Sequence, residues 1–248
     1  MKNINFSIII SIIFIFNSLS FAQELNDDFM DEFSEEMTIE ESSDPLKGYN
    51  KVATSFNHGA MTHVVIPMAK GYEKATPDFF RDGVNNFFRN ILFPIRFANN
   101  MLQLKFKNSF EETQRFLINS TIGIAGLRDV AHTHFKIHEH KEDFGQTLGH
   151  YGVGSGPHIV VPFYGPSNLR DLISMYPDSL VDPVVYNQKR SYNLTAKNSD
   201  STYLKTYDKF NYASLHYNEY EEFTKDAVDL YTLFKTAYEQ NRDKLIKE

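Results

Sequence analysis

His132, His134, His138 and His140 stand within the nine-residue run HTHFKIHEH. Imidazole is the commonest metal ligand among side chains. Residues two apart on a strand, or four apart on a helix, share a face, so pairs of these rings are placed to converge on one ion, with Glu139 and Asp143 as further donors. The H-E-x-x-H spacing of a zinc hydrolase is absent. The flanking residues read as a connecting loop, and the expectation is adventitious metal binding. Further on, His150 and Tyr151 lead into Gly152-Val153-Gly154-Ser155-Gly156. Such a loop cradles phosphate when a strand enters it and a helix N-terminus receives the anion. Pro157 follows here and no βαβ pattern surrounds it, so the glycines are expected to serve tight or left-handed turns. Ser155 lacks the spaced glycines of a nucleophile elbow. These residues name no reaction and imply no cofactor.

The elements that would position these groups follow an export signature. Lys2, the apolar run Phe6 to Phe16 and the small residues of Ser20-Phe21-Ala22 predict a cleaved signal peptide over 1–22. The apolar run is too short to span a bilayer. Residues 23–44 carry ten acidic residues and no basic ones. The net charge of −7 therefore resides in that stretch, leaving +2 on 45–248. An acidic, disordered leader over 23–43 is expected, with Phe29, Met30, Phe33, Met37 and Ile39 interleaved among the acids. Neither part is basic enough for nucleic acid. There is no cysteine, so the fold rests on packing alone and a lipoprotein anchor has no residue to be built on.

Past Asp44-Pro45 the chain reads as one mostly helical domain over 44–248. Thr76-Pro77-Asp78 predicts an N-cap with proline at the first helical position, and Phe79 to Leu92 repeats near 3.6 residues until Pro94. Ile95 to Leu104 follows as a second apolar segment. Ser109 and Glu112 have capping-box spacing, predicting a helix start there and an end near Gly123 or Gly126. Residues 145–166 read as loop around the apolar run Ile159-Val160-Val161. Ser167 is expected to cap a short helix ending before Pro177 or Pro183, residues 187–212 to be irregular, and Glu219 to Lys247 to form one amphipathic helix. The 22 Phe and 14 Tyr are set against no Trp, with Phe concentrated at 79–110. That stretch, bordered by Arg81, Arg89, Arg96, Lys105 and Lys107, fits either a Phe-rich core or helices lying in the membrane plane; periodicity does not separate the two.

Several blocks, in order along the chain, resemble the MlaA (VacJ) family. They are Asp44 to Lys51 with Phe56-Asn57; Gly83 to Phe87 with Asn90, Pro94, Asn99 and Gln103; and Arg115 to Thr121 with Gly123, Gly126, Asp129 and Ala131. The most specific is Phe144 to Gly154, running on through Gly156-Pro157, Val161 to Ser167 and Leu169-Arg170-Asp171. Asp226 to Tyr231 and Ala237 to Gln240 echo the family's last helix. The resemblance implies an all-α, ring-like protein in the outer membrane, with amphipathic membrane-plane helices and Gly/Pro-rich loops. It implies no enzyme. The implied work is removal of mislocalised phospholipid from the outer leaflet and hand-over to a periplasmic lipid-carrier protein, often beside a trimeric porin. Within it, His150, Tyr151, Arg170 and Asp171 are candidates for lipid passage, or else brace the glycine-rich turn with Arg170 and Asp171 paired. Phe87, Phe88, Ile91 and Leu92 are candidates for the membrane-facing surface. Asn50, Asn57 and Asn119 are expected to cap helices or pin backbone rather than touch lipid. Two alternatives from other classes are a periplasmic metal-dependent enzyme on the His132–His140 cluster and a structural scaffold for a porin.

Overall fold

The computed structural model describes residues 44–185, 194–195 and 198–248. The expected signal peptide, the expected acidic leader and part of the stretch expected to be irregular lie outside them. The described chain is helical apart from one antiparallel hairpin, in agreement with the all-α expectation. It divides into two compact units. The first holds the described residues up to Ala75, Gly156–Leu169 and Lys205–Lys244; the second holds Thr76–Ser155, the described part of Arg170–Leu204, and Leu245–Glu248.

The first unit opens with α1 (Lys47–Ala60), a π-helical stretch Met61–Val65, and α2 (Ile66–Ala75). Pro67 has no N–H to continue an α-helical ladder, and the wider turn lies immediately before it. Met61, Val65, Ile66 and Ala69 face inward and form an apolar core with Ala213 and Tyr217. The hairpin joins β1 (His158–Val161) to β2 (Gly165–Asn168), with His158 opposite Asn168 and Val161 opposite Gly165. Thus the apolar run inside the supposed loop is a strand, and Val160 packs on Ala53 and Tyr231.

Asn50 and Asn57 lie seven residues apart, about two turns, so both amides point the same way from α1. Asn50 donates to the carbonyl of His158 (3.0 Å) and accepts from the N–H of Val160 (2.8 Å). Asn57 donates to Val161 (3.1 Å) and accepts from Phe163 (2.7 Å). Two side chains thereby stand in for a missing neighbouring strand. Asp44 anchors the foot of α1, accepting from the backbone of Leu46, the amide of Asn50 and the hydroxyl of Tyr231.

The second unit holds α3 (Asp78–Ile91), α4 (Phe93–Leu102), α5 (Phe106–Thr121), α6 (Val130–Phe135), α7 (Phe144–His150) and most of α8 (Leu169–Val181). Several expected boundaries move. Pro77 is itself the extended residue before α3, and Asp78 pairs with Arg81 at 2.6 Å instead of Thr76 capping. Ser109 is no cap: it is buried within α5, its hydroxyl turned back to the carbonyl of Lys105. Pro177 lies inside α8, and Ser167 belongs to β2.

The stretch 198–212, expected to be irregular, is helical. Helix α9 (Asn198–Lys225) begins in the second unit and continues in the first from Lys205. Its polar sequence buries Asn211 and Ser214 alongside Ala213, so tertiary contacts override the pattern. The expected single C-terminal helix is broken at 226–229. Asp229 there accepts from the N–H groups of Tyr231 and Thr232, opening α10 (Leu230–Lys247), and pairs with Lys51 at 2.8 Å.

Replacing Asn50 by alanine would leave a buried N–H and a buried carbonyl of β1 without their partner. With about 1–3 kcal/mol for each unsatisfied group, Asn50→Ala is expected to destabilise the first unit by about 2–6 kcal/mol. Chemical denaturation of the variant beside the parent measures it.

Candidate functional site

Burial in the second unit runs opposite to that in the first. Its interior is polar: Glu112 and Asn100 are 0 % exposed, Asn99 2 %, Arg81 3 % and Arg115 5 %. Among its described residues only Phe88, Ala131 and Val184 are buried and apolar. Phe79, Phe106, Phe110, Leu117 and Ile122 instead lie exposed. Helix α5 shows how the sequence produces this. Ser109, Glu112, Arg115 and Asn119 recur every three or four residues and form its buried face. Phe106, Phe110 and Leu117 recur on the opposite face, outward. Helix α8 repeats the arrangement, with Arg170, Asp171 and Ser174 buried while Ile173, Tyr176 and Leu180 are exposed.

The polar interior is hydrogen-bonded across elements. Arg96 donates to Glu112 at 2.7 Å and to the carbonyl of Arg89 at 2.8 Å, and reaches Glu139 at 3.3 Å. Arg89 holds Glu139 through two nitrogens, at 2.6 and 3.2 Å. The second oxygen of Glu112 accepts the N–H of His140 at 2.6 Å. A second clamp centres on Arg115, which donates to Asp129 at 2.7 Å and to the carbonyl of Ile137 at 2.5 Å. Asn119 donates to Asp129 and accepts the N–H of Ala131. A third joins Gln103 and Lys105 to Glu142, both at 2.6 Å.

Burial alone raises a carboxyl group's pKa. For Glu139 that effect is overcome by the charges of Arg89, Arg96 and Lys141, which hold it well below the usual carboxylate range. Burial is likewise outweighed at Asp129, held low by Arg115 and Asn119. At Glu142 burial wins over Lys105 and Gln103, and its carboxyl is pushed up. Arg89, Arg96, Arg115, Asp129 and Glu139 enclose a polar cavity of about 10 Å³, room for roughly one water molecule and no lipid headgroup.

The four lipid-passage candidates do not converge on one another. Arg170 and Asp171 are buried and paired at 2.9 Å. Arg170 also donates to Val153 through its side chain and to Ser155 through its N–H, bracing the glycine-rich loop. His150 and Tyr151 are exposed at the end of α7, ring against ring at 5.2 Å, and the Tyr151 hydroxyl donates to the carbonyl of Leu102. Of the membrane-facing candidates, Phe88 is turned inward at 4 % exposure, so it is removed from that surface; Phe87, Ile91 and Leu92 are half-buried. Sequence reasoning missed the exposed set of Phe106, Phe110 and Leu117, whose common helical face was the available signal.

His132 and His134 fall on α6 and His138 and His140 on the segment beyond it, so the loop reading was half right. Glu139 is taken by arginines and Asp143 caps α7 through Gln146, leaving neither for a metal. Among the described residues no three His, Cys, Asp or Glu side chains form a metal-holding group. The family-motif glycine Gly123 has a steric reason: a Cβ there would lie 2.3 Å from the Arg128 carbonyl oxygen.

Arg96→Met should destabilise the second unit by about 3–5 kcal/mol, since it leaves the buried Glu112 charge without its partner; Glu112→Gln should cost less, because Arg96 keeps Glu139. Phe110→Ser should change stability far less. Asp129 and Glu139, lowered in the fold, contribute stability that is present above their unfolded values and lost as pH falls through their native ones. Glu142 has the opposite sign, its stabilisation present at low pH and lost as pH rises through its raised value. Urea denaturation across a pH series is expected to show a decline below about pH 4, shallower in Arg115→Met.

Residues 42–245 match the family described as MlaA lipoprotein. An uncharacterized protein of Rickettsia typhi is 32% identical over 202 residues, covering 81% of this chain and 76% of that protein. The intermembrane phospholipid transport system lipoprotein MlaA of Escherichia coli is 37% identical over 132 residues, 52% of this chain and 53% of that protein. A solved structure reported as "Structural basis for maintenance of bacterial outer membrane lipid asymmetry" matches with a TM-score of 0.69 and 29% identity, covering 83% of this chain and 100% of that one. The matched motifs, the helical fold and these relatives agree: the chain belongs to the MlaA lipoprotein family.

Proposed function

We propose that this protein removes phospholipid that has strayed into the outer leaflet of the outer membrane and passes it to a soluble periplasmic carrier, without covalent chemistry. The observation that carries the reading is the inverted burial of the second unit. An apolar outside around a hydrogen-bonded polar inside is what lipid surroundings favour, because unpaired polar groups are penalised in hydrocarbon while apolar side chains are not. No described helix is long and apolar enough to cross a membrane. The exposed faces of α5 and α8 therefore suit helices lying within one leaflet, exposing Phe106, Phe110 and Tyr176 to acyl chains.

The names of the relatives supply the cargo class. The Escherichia coli relative is a component of an intermembrane phospholipid transport system, and the same cargo is proposed here. The signal expected over 1–22 would export the chain, and the periplasmic side of the outer membrane is its proposed location, with a trimeric porin and a periplasmic lipid carrier as its proposed partners.

Surface-exposed phospholipid on intact cells lacking this protein is expected to rise, and to return to the parental level on complementation. Unchanged surface phospholipid, in cells with no second such system, would sink the transfer reading. A complementing Phe106→Ser, Phe110→Ser chain should leave the membrane fraction and restore less than the parent does. Full retention in membranes would show that these side chains are not the lipid contact.

A further inference from the structure

The polar frame of the second unit fixes two imidazoles beside each other, and neither has a role in that frame. His132 lies in α6, whose first turn is set by Asp129 accepting the His132 N–H at 3.1 Å. Asp129 is itself held by Arg115 and Asn119. Beyond α6 the chain reverses at Lys136, which adopts the left-handed conformation with φ 56°. Ile137 is then gripped at both ends: its N–H donates to Ala131 at 3.1 Å, and its carbonyl accepts from Arg115 at 2.5 Å. The next residue is His138. Its ring centre stands 5.1 Å from that of His132, with the ring planes at 63°, and both side chains are exposed.

That separation suits chelation. A ring nitrogen lies about 1.1 Å from the imidazole centre, so with metal–nitrogen bonds of about 2.0–2.1 Å two rings sharing one ion have centres about 4.5–5.2 Å apart, for bond angles of about 90–109°. The other rings of the cluster are engaged elsewhere. His134 meets the hydroxyl of Thr133 at 2.9 Å and His140 meets Glu111 at 2.6 Å. We propose that His132 and His138 form a solvent-open, two-imidazole site for a borderline divalent transition-metal ion such as Ni2+, Cu2+ or Zn2+. Imidazole suits those ions. Because one arginine clamp pre-sets both ligands, little ordering opposes binding. No third protein donor completes the set among the described residues, so the remaining positions belong to water or to an exchangeable ligand.

The edge-to-face contact of two rings spans the same distance, so the test is direct titration. The untagged full chain, purified in detergent, is titrated calorimetrically with NiCl2 at about pH 7.5, where one equivalent should bind. His132→Asn and His138→Asn should each weaken binding at least tenfold, and His134→Asn should not. Ni2+ should also raise the thermal midpoint of the parent and of neither paired variant. Parent-like titration of both paired variants would mean an adventitious ion only. A loss confined to one of the two would mean that the rings do not act as a pair. Either outcome overturns the proposal.

Discussion

Glu112 is a carboxylate with no exposure at all, and the second unit is arranged around keeping it satisfied. One oxygen faces the Arg96 guanidinium and the other the backbone of His140, so helix α5, helix α4 and the segment 136–143 meet on a single side chain. Arg96 extends the contact to Glu139 and to the carbonyl of Arg89. Removing two such charges from water costs several kcal/mol for each ion, and the pair's attraction recovers this only with good geometry and with the other lone pairs filled. Both conditions are met here. Such a frame adds little net stability over apolar packing, but it admits few alternative arrangements, because any shift leaves a charge stranded.

The outward faces of the same helices follow from that interior. A helix has two sides, and once Ser109, Glu112, Arg115 and Asn119 are turned inward, Phe106, Phe110 and Leu117 have nowhere else to go. In water, each exposed aromatic side chain forfeits a burial gain of about 1.5–3 kcal/mol. The first unit makes the ordinary choice, closing Met61, Val65 and Ile66 over Ala213 and Tyr217. One chain thus contains both solutions, a mixture that whole-chain composition averages away.

The sequence made the helical class, the helices around Phe79–Thr121 and the motif blocks legible. Asn50 and Asn57 were expected to cap helices or to pin backbone, and the hairpin shows the second role. The direction in which each amphipathic helix faces was not readable. Periodicity reports that two faces differ; which of them is inside depends on the partners, and Phe88 points in where Phe110 points out. The capping-box reading of Ser109 and Glu112 failed for the same reason: the spacing that lets a carboxylate return to its own helix end also puts both residues on one face, where Arg96 takes Glu112. Helix α9 was hidden because its inward residues include Asn211 and Ser214, which carry no apolar signal.

In the proposed lipid setting the inversion has a further logic. Acyl chains are as apolar as leucine, so burial of apolar surface gives helices no reason to prefer one another over lipid. Hydrogen bonds and ion pairs do give that reason, because their alternative is an unsatisfied group in hydrocarbon. Arg96 with Glu112, Arg115 with Asp129, and Lys105 with Glu142 each tie one element to another. They occupy the place that Leu and Ile contacts hold in a water-soluble core. Glycine has a matching part: at Gly123 the backbone of Asn119 and Arg128 comes within the space of a methyl group, closing the turn that carries Asp129 back to Arg115. A side chain at Gly123 would push that turn open and part the buried pair, so the steric and the electrostatic constraints of the unit meet at the same few residues.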